Sequence, residues 1–272
     1  MVSAHRLLQL LQRAGESLQA TDPAVRSCGL WSVALIGSLS RGDFRPSGSD
    51  VDLLVVHQCG DLPSGEVGRR TDVRAVVRHF GEPVIEASGG SGGQKPIIVD
   101  CHFVDLGVLR DQPRWAAPRE FLSVHARHDR FLWIYGFDFV QHARVLWGES
   151  PTALVQAHDP LPYVPVAARD LSRRIADLSS ATQDGGPLLE LVDRWKAAAG
   201  ELMTLLALAH GCRSLRKQEL HRAFNTQVPY FPGKDFAASL WAEYLYGTVF
   251  QERREWIGRC ARFCDSGLTL LP

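Results

Sequence analysis

The chain has 272 residues, 45% of them hydrophobic, and its 30 basic residues balance 30 acidic ones. This length and hydrophobic content suffice for a buried core in one large or two modest domains. A neutral chain argues against a protein that coats nucleic acid, because such proteins usually carry a basic excess. No apolar run reaches the ~18 residues of a membrane span, so no transmembrane helix is expected.

The cysteines and the N-terminal residues predict a cytoplasmic protein. The six cysteines are scattered along the chain, and no Cys-x-x-Cys pair occurs. Cys260 and Cys264 are four residues apart without nearby histidine partners, so reduced thiols are favoured over disulfides or a zinc site. The residues from Met1 to Leu11 lack a long unbroken apolar run, so no secretion signal is expected.

The hydrophobic pattern predicts a change of architecture along the chain. It favours a helix over residues 5–20, then strands up to about residue 105 with one helix near 66–79. The strands include 83–87, which carries Glu86 as a weak substrate-site candidate, and 88–93 is a glycine-rich loop. The later pattern predicts helices over 118–130, 132–147, 163–181, 187–210, 214–224 and 234–263. The sequence therefore predicts a sheet-containing half followed by a helical half.

The segment from Gly37 to Asp52 carries the strongest chemical signal. It connects two apolar runs, Trp31–Ile36 and Leu53–Val56, which both predict strands. Asp50 and Asp52 are two residues apart at the start of the second run, so their side chains should share one face. Neighbouring carboxylates repel each other unless a cation lies between them, and Mg²⁺ prefers such oxygen ligands. The spacing therefore predicts a metal site.

The residues after the first run predict a phosphate-binding turn. Gly37 permits a tight turn and the close approach of a ligand to the backbone. Ser38 offers a hydroxyl and a backbone N–H, and a short helix over 38–42 would direct further N–H groups towards an anion. Arg41 adds a positive charge about one helical turn later. We interpret this turn as a cradle for a nucleoside triphosphate.

A third carboxylate is expected on the β-rich run from Pro96 to Asp105. Asp100 lies in the middle of this run, where a carboxylate is costly unless it is paired or bound to a metal. Asp105 is the alternative, but it lies near the end of the strand and faces the other side. His102 shares a face with Asp100 and is interpreted as a hydrogen-bonded sheet histidine rather than a catalytic one.

The pattern of Gly-Ser, about a dozen residues and then Asp-x-Asp resembles the nucleotidyltransferase superfamily that includes DNA polymerase beta. Arg41-Gly42 and Ser49 also fit that pattern. In layout the chain is similar to bacterial enzymes that adenylylate aminoglycosides such as streptomycin and spectinomycin. The resemblance implies an α+β fold, with an N-terminal mixed-sheet nucleotidyltransferase domain over 1–150. A C-terminal helical bundle over 151–272 would close the active-site cleft.

The resemblance also implies the chemistry. AMP would pass from ATP to a hydroxyl of a small acceptor such as an aminoglycoside antibiotic, and pyrophosphate would leave. Two Mg²⁺ ions would bind the carboxylates of Asp50, Asp52 and Asp100. Asp100 would also be able to take the proton of the acceptor hydroxyl. This third position is usually Glu in the streptomycin and spectinomycin enzymes. The nucleotide would contact residues of both halves, namely Gly37, Ser38, Arg41, Ser49, Ser214 and Lys217.

Three alternatives remain open at this point. A nucleotidyltransferase of a biosynthetic pathway would use the same residues on a natural product. The nucleotidyltransferase of a toxin–antitoxin system would modify a protein, although such proteins are commonly shorter and lack a large helical domain. A polymerase that elongates nucleic acid would need a basic groove with stacking aromatics, and the neutral charge weighs against it.

Overall fold

The computed structural model describes residues 2–18, 25, 29–45, 49–58, 71–89, 97–110, 138, 141–154, 159–246 and 253–272. The chain divides into two compact units, Met1–His158 and Asp159–Pro272. The first unit contains a mixed sheet and the second is helical, which confirms the predicted α+β fold class. In the part of the chain that is described, no helix has the length and hydropathy needed to cross a membrane.

The first unit is built on a four-stranded sheet with flanking helices. In chain order its elements are α1 (Ala4–Ser17), β1 (Leu30–Ile36), α2 (Gly37–Arg41), β2 (Val51–His57), α3 (Thr71–Gly89), β3 (Val99–Asp105), α4 (Leu106–Arg110) and β4 (Arg144–Gly148). A short 3-10 turn follows at Pro151–Ala153. The strand order is β3-β2-β1-β4, with β1 antiparallel to β2 and β4, and β2 parallel to β3.

The main core of this unit lies on one face of the sheet. Alternate residues of β2, such as Leu53 and Val55, pack there with Leu11 of α1 and Phe80 of α3. Because side chains of a strand alternate between faces, Asp52 belongs to the opposite face. Beyond Asp52 this opposite face also carries the buried Leu54 and Val56, so β2 is covered on both faces.

Two segments differ from the sequence predictions. Residues 83–87, with Glu86, lie inside α3 rather than in a strand. The buried positions Val76, Phe80 and Val84 recur every four residues, which is the period of a helix face, and Pro83 does not end the helix. The predicted helix over 132–147 is wrong at its end, because β4 begins at Arg144 and pairs with β1. This pairing satisfies the free edge of β1.

The predicted loop at 88–93 also begins later than expected. Ser88 and Gly89 complete α3, and residues 90–93 lie outside the described residues. The helix predicted over 118–130 lies outside them as well.

The second unit contains helices throughout its described length. After a 3-10 turn at Leu161–Tyr163 come α5 (Val164–Gln183), α6 (Leu188–Ala209), α7 (Lys217–Gln227), α8 (Phe236–Tyr246) and α9 (Arg253–Leu268). Trp195 of α6 and Phe263 of α9 are both buried in its interior. Of the helix predicted over 234–263, residues 236–246 and 253–263 are helical, and residues 247–252 lie outside the described residues.

Candidate functional site

Asp52 and Asp100 face each other across two parallel strands. The register of β2 and β3 pairs Asp52 with Asp100, and the β1–β2 register places Ile36 on the other side of Asp52. One ligand atom from each of three side chains, Asp52, Asp100 and His102, lies within 4.8 Å of the other two. The structure thus brings together two of the three carboxylates that the sequence proposed as metal ligands.

His102 is the member of this group that sequence reasoning interpreted differently. Its Nε2 atom lies 3.8 Å from Asp52 Oδ1 and 4.0 Å from Asp100 Oδ2. The signal was present in the sequence, because His102 follows Asp100 by two residues and therefore shares its face. What the sequence lacked was the register that aligns this face with Asp52.

The third proposed ligand, Asp50, is placed differently. It is an exposed residue directly before β2, separated from Asp52 by the buried Val51. The close group of ligand atoms does not include Asp50. Its part in metal binding stays a prediction.

The local field at this face suits a cation. Burial, the Asp100 carboxylate and the Asp52 carboxylate together raise the pKa of the Cys101 thiol to about 12. Burial is the largest of these causes, and the two carboxylates add negative charge that a divalent cation would neutralise. The exposed fractions of the two carboxylates, 61% for Asp100 and 22% for Asp52, leave Asp100 the more accessible to a ligand.

Gly37 lies directly against the Asp52 carboxylate. It begins α2 with a φ of 69°, a left-handed conformation that favours glycine. A Cβ atom at this position would lie 1.9 Å from Asp52 Oδ2. Ser38 follows it and is buried. The expected turn and short helix are therefore present, and phosphate binding by Gly37 and Ser38 stays a prediction.

Arg41 is engaged within the protein. Its Nη1 donates a 2.8 Å hydrogen bond to Asp138 Oδ2, and its Nε lies 3.4 Å from Asp43 Oδ1. The side chain of Arg41 is only 9% exposed. Burial raises the pKa of the Asp138 carboxyl, and the charge and hydrogen bond of Arg41 partly offset that rise. Arg41 thus belongs to a buried ion-pair network, and its contact with phosphate stays a prediction.

Ser49 closes the loop that leads into β2. Its Oγ accepts a hydrogen bond from the Arg45 N–H at 3.1 Å, and its own N–H donates to the Arg45 carbonyl at 2.8 Å. Its contact with nucleotide stays a prediction.

Asp105, the alternative to Asp100, lies at the other end of β3. The register pairs it with His57, and its Oδ2 lies 3.7 Å from His57 Nδ1. Its Oδ1 accepts a 2.7 Å hydrogen bond from the Gly107 N–H. Five residues of a strand span roughly 16 Å, so Asp105 is remote from Asp52. The structure brings Asp100, not Asp105, to the Asp52 carboxylate.

The segment from Gly211 to Lys217 in the second unit carries three basic residues and has a defined conformation. Gly211 has a φ of 98°, and Arg213 donates from Nη1 to the Cys212 carbonyl at 3.1 Å. Ser214 Oγ accepts a 3.2 Å hydrogen bond from the Arg216 N–H. The helix predicted over 214–224 begins later than expected, because α7 begins at Lys217 and its N-cap is Arg216. Nucleotide binding by Ser214 and Lys217 stays a prediction.

Comparison with known proteins agrees with this geometry. The family model described as a nucleotidyltransferase domain matches residues 28–75, which include β1, α2 and β2. Among solved structures, the fold is similar to spectinomycin adenyltransferase AAD(9) from Enterococcus faecialis, solved with ATP and spectinomycin. The TM-score is 0.57 at 11% sequence identity, with 97% of this chain and 100% of that chain covered. A search of curated proteins found no match.

Proposed function

Since the chain belongs to the nucleotidyltransferase superfamily, we propose that it transfers AMP from ATP to a hydroxyl of a small molecule, with release of pyrophosphate. The acceptor class that we propose is an aminoglycoside antibiotic or a closely related hydroxylated compound. The observation that carries the proposal is the alignment of Asp52 with Asp100 beside Gly37. Gly37 and Asp52 lie within the matched residues 28–75, and Asp100 lies on the strand paired with β2.

The carboxylates have a natural role in this reaction. Asp52 and Asp100 would hold Mg²⁺, with Asp50 as the third oxygen donor, and carboxylate oxygens fit such an ion. Bound divalent ions would neutralise charge on the triphosphate and on the attacking and leaving oxygens. Catalysis of phosphoryl-type transfer depends mainly on such positioning and charge neutralisation, so no covalent nucleophile is needed.

Asp100 is suited to receive a proton. It is the most exposed member of the close group, with 61% of its side chain accessible. A carboxylate in this position could accept the proton of the acceptor hydroxyl as that oxygen attacks phosphorus. The absence of a Cβ at Gly37 leaves room for the Asp52 carboxylate beside the turn.

The choice of substrates draws on the neighbouring structure. That protein was solved with ATP and spectinomycin, and its fold extends over 97% of this chain. Nucleotide binding by Ser214 and Lys217 is part of the same proposal. Mg²⁺ and ATP therefore belong to the proposal together with the acceptor.

Pyrophosphate release tests the proposal directly. The assay combines the full chain, Mg²⁺, each of the four common nucleoside triphosphates and a panel of aminoglycosides and related hydroxylated compounds. We expect release with ATP that requires one acceptor. Because Asp52 would hold the cation that neutralises negative charge in the transition state, D52N should reduce the rate by about 100-fold or more. The matched control is E16Q, which removes an exposed carboxylate on α1 and should leave the rate unchanged.

Two results would contradict the proposal. Full activity of D52N would show that the pair of carboxylates, Asp52 and Asp100, is not part of the active site. Silence across the acceptor panel, with ATP binding intact, would exclude these small molecules and direct attention to a protein or to an intermediate of a biosynthetic pathway.

A further inference from the structure

We propose that His102 supplies a nitrogen ligand beside Asp52 and Asp100, so that the metal site prefers Mn²⁺ to Mg²⁺. This inference rests on the proposed function, because it concerns the divalent cation that the transfer would use. It assigns a role to a side chain that the sequence analysis interpreted as structural.

The position of His102 is set by the same register that sets the carboxylates. Asp100 and His102 alternate with the half-buried Cys101 and the buried Phe103 along β3, and β3 lies parallel to β2. The His102 ring therefore reaches the face on which Asp52 lies. Only 13% of its side chain is exposed, so its environment is largely supplied by the protein.

The distances leave room for an ion. His102 Nε2 is 3.8 Å from Asp52 Oδ1 and 4.0 Å from Asp100 Oδ2, which is too long for direct hydrogen bonds. All three ligand atoms nevertheless lie within 4.8 Å of one another. One cation among these three atoms could therefore be bound by donors from two neighbouring strands.

The donor set determines which cation is favoured. Mg²⁺ is a hard ion that binds oxygen and retains water, and it gains little from an imidazole. Divalent ions of the first transition row bind imidazole nitrogen more strongly than Mg²⁺ does, and Mn²⁺ among them also favours carboxylate oxygen. Replacement of one oxygen donor by His102 nitrogen therefore shifts the preference of the site towards Mn²⁺.

Electron paramagnetic resonance of Mn²⁺ provides a test that does not depend on turnover. The full chain is titrated with Mn²⁺ without nucleotide or acceptor, and nitrogen coupling to the bound ion is measured by pulsed methods. We expect wild type to show imidazole nitrogen coupling and H102N to lose it. Because His102 is a ligand, H102N should weaken Mn²⁺ binding by about tenfold or more. Mg²⁺ binding, measured by competition, should change by only about twofold.

Three further variants make the outcome unambiguous. H5N removes an exposed histidine on α1 and should leave the nitrogen coupling intact. H102D offers oxygen in place of nitrogen, so it should lose the coupling and bind Mg²⁺ more tightly relative to Mn²⁺ than wild type does. Circular dichroism of H102N and H102D establishes that each is folded before it is titrated. D52N should abolish Mn²⁺ binding in every background.

The results separate the inference from the proposed function. Mn²⁺ that binds without nitrogen coupling, or coupling that persists in H102N, would overturn the role of His102 alone. If Mn²⁺ binding survived unchanged in D52N, the metal site of the proposed function would itself be wrong.

Discussion

At the scale of single residues, Gly37 links the backbone of α2 to the chemistry of Asp52. In G37A the new Cβ would meet Asp52 Oδ2 at 1.9 Å, and the residue would have to keep a φ of 69°. The carboxylate must therefore move, and the left-handed backbone adds roughly 1–2 kcal/mol of strain. We expect G37A to lose most transfer activity, measured as pyrophosphate release, and to unfold at lower urea concentration.

Gly42 provides the matched control for this substitution. It has a φ of 83°, but a Cβ there would meet nothing within 4 Å. G42A should therefore lose a similar amount of stability, roughly 1–2 kcal/mol, and keep its rate per folded molecule. Equal activity of the two variants would show that the Gly37–Asp52 contact does not position the carboxylate.

The residues of the site differ in how far sequence could identify them. Asp52 and Asp100 could be selected because a carboxylate within an apolar strand needs a partner. Arg41 could not be placed, because its partner Asp138 is 97 residues away and no local pattern signals that contact. The role of His102 depends on a strand register, which arises from the packing of the whole sheet.

At the scale of elements, Arg41 of α2 is paired with Asp138. The free energy of unfolding of the protein should therefore depend on the ionisation of the Asp138 carboxyl. Burial raises the pKa of Asp138 above its ordinary value of 3.8. The folded state therefore holds this proton more tightly than the unfolded chain does. The contribution of Asp138 to stability is fully present below pH 3.8 and is lost as the pH rises through the raised pKa.

The variant D138N isolates this effect because its amide does not titrate. The free energy of unfolding of D138N, relative to wild type, should increase as the pH is raised from 3.8. Urea unfolding over a series of pH values measures the difference, with the exposed α1 variant E16Q as reference. A difference that stayed constant, or fell with rising pH, would contradict the raised pKa.

Elements with one dominant pattern were predicted, and elements with two competing patterns were not. Strands β1 and β2 follow from apolar runs and β3 from a run with high β-propensity, and all three are confirmed. Within α3, Pro83 and the adjacent β-branched residues suggested a strand, yet burial at every fourth position stabilises a helix. The short β4 carries little signal of its own, since its conformation comes from pairing with β1.

At the scale of the whole molecule, the second unit has a hydrophobic core of its own. Phe263 contacts Phe224, Phe231 and Phe236, with ring centroids 6.0, 5.6 and 5.8 Å apart. A domain of this size with a continuous core can fold independently. We expect the fragment Asp159–Pro272 to be helical by circular dichroism and to unfold in one cooperative transition.

A core substitution provides the control for this fragment. F263A removes the ring shared by these contacts and should cost about 3–5 kcal/mol, so the fragment that carries it should lose most of its cooperative transition. If the unsubstituted fragment melted gradually and bound hydrophobic dyes, the unit would depend on the rest of the chain.

The strand order has a consequence for how the two carboxylates stay together. In the described sheet β2 is paired on both sides, whereas β3 is terminal, so Asp100 departs whenever β3 frays and Asp52 does not. A cation that needs both strands binds only the closed form and therefore suppresses fraying by mass action. Amide hydrogen exchange would register this as slower exchange in β3 than in β4, the terminal strand on the opposite side.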